Sequence, residues 1–194
     1  QIGNNVYTLE LGLMDISEEE VVNELVPIVE SYLNETLEIV SLKDSMHHLG
    51  YTSLVLKHQQ NYSLQYGFQQ YALEPLNCGD SFSAFHQDNL HYLALSDGMG
   101  QGKMAANESK LTLEVLSKLI LNGIGLKDTI DSINALLKIK NRNDMFTTLD
   151  LCNINLANAR MKLIKYGANP SYHIRSGMVE KIATNSLPVG VRSE

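Results

Sequence analysis

Cysteine is scarce in this sequence: only Cys78 and Cys152 occur among 194 residues, with no CxxC pair and no cysteine–histidine cluster at zinc spacing. That excludes a finger-type zinc site, and so few thiols fit a reducing, cytoplasmic setting. Positive charge is short as well. Against 22 Asp and Glu stand 15 Lys and Arg, a net charge of -7, so nothing draws the chain to phosphate backbones or anionic lipid, and nucleic acid is excluded as a partner. No apolar run approaches the roughly 18 to 20 residues of a membrane span, and the start at Gln1 shows no basic-then-apolar targeting signal. Low-complexity tracts and internal repeats are also missing. The lack of a starting Met, and the end at Arg192-Ser193-Glu194 directly after an apolar stretch, are marks of a piece of a longer protein.

What is present is a hydrophobic content of 44%, enough for one domain, or one domain with a small appendage. Residues 5 to 14 alternate like a strand and Asp15 to Asn34 read as a helix, with Ser17 and Glu20 as a capping box. Val22, Val26, Val29 and Leu33 make its apolar stripe, and Pro27 is expected to kink it. Two strands over 35 to 42 and 51 to 58 complete an N-terminal α/β appendage of residues 1 to 60. From Tyr62 strands dominate: YSLQYGFQQYAL, SFSAF and LHYLALS, then helices over Lys103 to Leu121 and from Leu126, then FTTLDLCNINL, RMKLIKYGA and YHIRSGMVEKI. Gly123 is the stop signal of the first of those helices, and Ser176-Gly177 the turn of a hairpin. Strands, two consecutive helices, then strands again predict an α+β fold of antiparallel sheet with helices packed on it.

The chemistry centres on two aspartates. Asp88-Asn89 suits a two-residue turn, and counting back from Gln87 and Leu90 places Asp80 directly opposite Asp97, with Phe82 facing Leu95 and Ala84 facing Leu93. Alternation then puts both carboxylates at the end of a face expected to be buried and apolar. Two carboxylates about 5 Å apart repel unless a cation lies between them, and oxygen donors select magnesium or manganese. The carbonyl of Gly98 can reach the same ion. The competing reading makes Asp80 a turn residue and Asp97 a helix cap.

Other signals are weaker. The glycines of Asp97-Gly98-Met99-Gly100-Gln101-Gly102-Lys103 fail the P-loop pattern, which needs glycine at 97 and Ser or Thr at 104, and the dinucleotide pattern, which needs glycine at 103. His86 and His91 can face each other across the hairpin, but with no third histidine or cysteine nearby they read as surface residues. Asp150, within an apolar strand, reads as a hydrogen-bonded structural aspartate or as a further ligand. Cys78 lies close to Asp80 and reads as a small buried side chain or a redox-sensitive one.

Cys78-Gly79-Asp80-Ser81 followed by Leu95-Ser96-Asp97-Gly98-Met99-Gly100-Gln101-Gly102 resembles the paired motif of 2C-type metal-dependent (PPM) protein phosphatases of the bacterial branch. Phe146-Thr147-Thr148-Leu149-Asp150-Leu151, Gly167-Ala168-Asn169-Pro170-Ser171 and Leu187-Pro188-Val189-Gly190 extend the likeness over residues 62 to 194, nearest the stage II sporulation protein E phosphatases. The resemblance implies an α-β-β-α sandwich of antiparallel sheets, truncated at its C-terminal end, with two Mn2+ or Mg2+ ions served by Asp80, Asp97 and the Gly98 carbonyl. It implies a serine/threonine phosphatase acting on phosphoserine of an anti-anti-sigma factor, a possible homodimer, cytoplasmic, in a membrane-anchored whole. Residues 61 to 194 are then a partial phosphatase domain, whose further metal-binding aspartates fall after Glu194, and residues 1 to 60 the tail of a regulatory region. The alternative is a catalytically empty phosphatase fold that binds a partner and signals by conformation.

Overall fold

The computed structural model describes residues 9–14, 16–44, 51–71, 78–100, 102–140 and 146–191. They form two compact units, Gln1–Ser63 with Leu156–Ala159, and Leu64–Asn155 with Arg160–Glu194.

In the first unit, strands β1 (Leu9–Met14), β2 (Leu37–Asp44) and β3 (Tyr51–His58) make an antiparallel sheet in the order β1-β3-β2. Between β1 and β2 runs one continuous helical segment: α1 (Glu18–Glu20), a π-helical stretch over Val21–Leu25, and α2 (Val26–Leu33). The capping box forms as read: the Ser17 hydroxyl accepts from the Glu20 N–H, and the Glu20 carboxylate accepts from the Ser17 N–H at 2.9 Å. The Ser17 hydroxyl, which also donates to the Glu20 carboxylate at 2.7 Å, and then the Ser17 N–H pull the exposed Glu20 carboxyl below its ordinary pKa. The apolar stripe differs by one residue at its start. Val21 is fully buried with Val26, Leu37, Leu54 and Leu56, whereas Val22 faces solvent. The wider π turn adds residues per turn and rotates the phase, a shift that a 3.6-residue period does not anticipate. It sits just before Pro27, which has no N–H to give to the ladder.

The second unit carries a four-stranded antiparallel sheet, β4 (Asp80–Gln87), β5 (Leu90–Asp97), β6 (Leu149–Asn155) and β7 (Arg160–Tyr166), in sequence order. Helices α3 (Gly102–Leu121) and α4 (Leu126–Lys140) follow β5. Leu113, Leu116 and Ile120 of α3 and Ile130, Ile133 and Leu137 of α4 are buried, as their spacing predicted. Gly123, at φ +81°, ends α3 by giving its N–H to Ile120 while Ile124 N–H reaches Leu119. Strands β8 (Ser171–Arg175) and β9 (Met178–Ile182) form the expected hairpin, with Ser176 and Gly177 both at positive φ.

Two expectations fail. The segment read as a strand from Tyr62 is not one: residues 62–71 have no ladder partner, and the remainder of that stretch lies outside the described residues. Alternation supplies a face for a strand, but only a neighbour supplies its hydrogen bonds. The face carrying Asp80 and Asp97 is also not the most buried one. On β5 the buried positions are Leu90, Tyr92, Ala94 and Ser96, and Leu95, opposite Phe82, is 46% exposed. Helix α3 packs on β4 and β5 from the other side, where Ser109 Oγ meets Ser81 Oγ at 2.8 Å. Both faces of β5 carry apolar residues, so the position of the helix, not the pattern, decides which one is covered.

Candidate metal centre

The register of the β4–β5 hairpin is the one counted from its turn: Gln87 faces Leu90, Phe82 faces Leu95, and Asp80 faces Asp97. Asp88 adopts the positive φ of 51° that closes so short a turn. Gly98 N–H donates to Gly79 O at 3.1 Å, which marks that pair as hydrogen-bonded. Asp80 and Asp97, one step in, therefore occupy a non-hydrogen-bonded pair, where opposite Cα atoms stand about 4.5 Å apart and side chains approach most closely.

That approach leaves an electrostatic signature. Partial burial, the neighbouring Asp80 charge and a hydrogen bond shared with Asp80 together hold the Asp97 carboxyl above its ordinary pKa. Gly98 supplies the third oxygen. A side chain on Gly79 would place its Cβ 3.6 Å from both Asp97 Oδ1 and Gly98 O, so the two oxygens border one small space. Gly98 itself tolerates no side chain: a Cβ there would lie 2.0 Å from the carbonyl oxygen of Ala105 in α3. Two carboxylates and a carbonyl, all hard oxygen donors crowded into mutual repulsion, fit a divalent cation of the magnesium or manganese type.

Residues to which the sequence assigned no role hold Asp97 in place. Thr147, fully buried, donates its hydroxyl to Asp97 O at 2.7 Å, and Asp97 N–H donates to Thr148 Oγ1 at 2.9 Å. Ser96 Oγ donates to Thr148 O at 2.7 Å. Thr147 also exchanges backbone bonds with Val189 and bridges to Gly98. Gly190 N–H then reaches Asn134 Oδ1 on α4 at 2.8 Å. The segment Leu187-Pro188-Val189-Gly190 is thus stitched to the aspartate strand through Phe146-Thr147-Thr148. Gly167, at φ +61°, lies against Pro188, where a Cβ would approach Pro188 Cγ to 2.4 Å. The only hint of the threonine pair was its place within the Phe146-Thr147-Thr148-Leu149-Asp150-Leu151 stretch of the likeness.

Other candidates resolve differently. Asp150 is paired with Lys165, whose ammonium is fully buried and also meets Ser171 Oγ at 2.8 Å. This is the structural reading of Asp150. His86 and His91 do stack, with ring centroids 5.1 Å apart, and burial, then the His86 charge, push His91 below its ordinary pKa. Cys78 Sγ lies 3.9 Å from Asp80 Oδ2 and is half-buried. Among the described residues no group of three or more His, Cys, Asp or Glu side chains gathers into a metal cluster.

The chain is similar to known proteins over most of its length. The chain is 32% identical over 97% of its length to stage II sporulation protein E of Bacillus subtilis strain 168, and 31% identical over 97% to that of Priestia megaterium. It spans 24% and 34% of those relatives, so about a quarter to a third of their length. A solved structure of the PP2C phosphatase domain and a fragment of the regulatory domain of SpoIIE from Bacillus subtilis superposes with a TM-score of 0.76 at 28% identity. That match covers the whole of this chain and 57% of the other. The family model described as Stage II sporulation protein E (SpoIIE) matches residues 87–194, more than half of the chain, and the chain belongs to that family.

Proposed function

We propose that this chain contributes the metal-binding half of a serine/threonine protein phosphatase, and that Asp80, Asp97 and the Gly98 carbonyl hold its divalent ions. The observation that carries the reading is the direct opposition of Asp80 and Asp97 at a non-hydrogen-bonded pair, with Gly98 pressed against α3 behind them. Magnesium or manganese, when bound, supplies positive charge that polarises a phosphoryl group and lowers the pKa of an attacking water. The chain's own part is preorganisation. Thr147 and Thr148 clamp both backbone groups of Asp97, so its carboxylate is aimed before any ion arrives.

The substrate in this reading is phosphoserine on an anti-anti-sigma factor, as the motif resemblance implies, and the setting is sporulation, in keeping with the name of the relatives. The full protein is a membrane-anchored one with this region in the cytoplasm. Among the described residues no helix is long and apolar enough to cross a membrane. Residues 1 to 60 form the tail of its regulatory part and residues 61 to 194 the phosphatase portion. One observation favours the second reading, a binding module without catalysis: no third carboxylate joins Asp80 and Asp97 among the described residues.

Phosphate release from a phosphoserine anti-anti-sigma protein, with and without manganese, separates the two. Manganese-dependent release that disappears in Asp97→Asn is the expected outcome. Release unchanged by that substitution, or absent even from a chain extended past Glu194, points to the binding module.

A further inference from the structure

The β4–β5 hairpin carries a second pair of ionisable side chains at its closed end. Counting from the hydrogen-bonded pair of Gly79 and Gly98, alternate pairs are non-hydrogen-bonded, and His86 opposite His91 is one of these, as Asp80 opposite Asp97 is. The two imidazoles therefore stand at the closest cross-strand approach, with ring centroids 5.1 Å apart and planes within 17° of parallel. Ala84 and Leu93 lie one step along the same face, and Ile154 of β6 is opposite His91. His91 is half-buried and His86 exposed, so one ring is anchored and the other open to water.

That spacing is the one a shared metal ion requires. Imidazole nitrogens bind zinc at about 2.1 Å, and two rings on one tetrahedral ion then have centroids about 5.2 Å apart. The rings are nearly parallel as they stand, and rotation about Cβ–Cγ, a soft torsion in histidine, turns one nitrogen of each toward a common point. Burial, then the His86 charge, hold His91 below its ordinary pKa, which keeps a lone pair ready there. The donor set also differs in kind from that of the aspartates. Imidazole suits zinc, nickel or copper, whereas carboxylate and carbonyl suit magnesium or manganese.

We propose that His86 and His91 form a second metal site, for a divalent cation of the zinc class, which staples the tip of the β4–β5 hairpin. Two protein nitrogens hold the ion and water completes its tetrahedron, so the ion is exchangeable. The site stands roughly 20 Å along the strands from the aspartates and does not rest on the phosphatase reading. An ion there ties β4 to β5, so its binding energy adds to the stability of the folded hairpin.

The test is a calorimetric titration of the whole chain with zinc, in excess magnesium to compete for the hard oxygen donors. One zinc per chain is expected at this pair. His86→Gln and His91→Gln should each weaken it about a hundredfold, because either leaves a single imidazole, and the double variant should lose little more. His173→Gln on β8 should leave the affinity unchanged. Without zinc the histidine variants should melt with the parent, so that a lost affinity is not a lost fold. Zinc should raise the melting temperature of the parent and of Asp97→Asn alike, and of neither His86→Gln nor His91→Gln. No zinc binding, binding that survives either histidine substitution, or binding abolished by Asp97→Asn overturns the proposal.

Discussion

A single hydrogen atom decides much at Gly98. Its carbonyl borders the same space as the Asp97 carboxylate, and the missing side chain lets the strand end lie against the backbone of Ala105. Gly98→Ala should cost about 3 kcal/mol, since a Cβ 2.0 Å from a helix carbonyl must drive strand and helix apart. Gly79→Ala, whose Cβ would meet the Ala105 methyl at 3.3 Å, should cost clearly less, and urea unfolding of the two variants ranks them. Equal losses would mean that the contact with α3 does not hold the site. The opposition of Asp80 and Asp97 was legible in the sequence, because a two-residue turn fixes a register that can be counted. The bonds of Thr147 and Thr148 to Asp97 were not, because the partners lie about fifty positions apart and no local spacing links them.

Among elements, the pairing of β6 with β7 places the one buried cation of the sheet. Asp150 faces Lys165 directly across the strands, and Ser171 closes the group from β8. Lys165→Met strands the Asp150 carboxylate beside a core and should lower stability by about 3 kcal/mol. Adding Asp150→Leu should return most of that loss, because a packed apolar pair replaces a buried ionic one at little net cost. A double variant no more stable than the single one would show that the pair does more than neutralise itself. The sequence left Asp150 open between structural carboxylate and ligand. Its partner sits in the next strand, and only the register brings them together. The helix stripe of α1 and α2 teaches the same lesson on a smaller scale, since a π turn moved the buried position from Val22 to Val21.

At the scale of the whole molecule, a site built on repulsion couples metal binding to folding. Manganese at a hundred times its dissociation constant should stabilise the chain by about 2.7 kcal/mol, seen as a rise in melting temperature. Asp97→Asn should abolish that rise and, without metal, melt slightly above the parent, because the two carboxylates no longer oppose each other. A manganese shift that survives the substitution would place the ion elsewhere. The sequence by itself determined the α+β class, the hairpin register and the paired aspartates, because these follow from local periodicity, turn chemistry and counting. Only the tertiary structure decided which sheet face the helices cover, that residues 62–71 form no strand, and that Lys165 answers Asp150. Each of those depends on a partner distant in the chain, and alternation along one strand holds no information about what will pack against it.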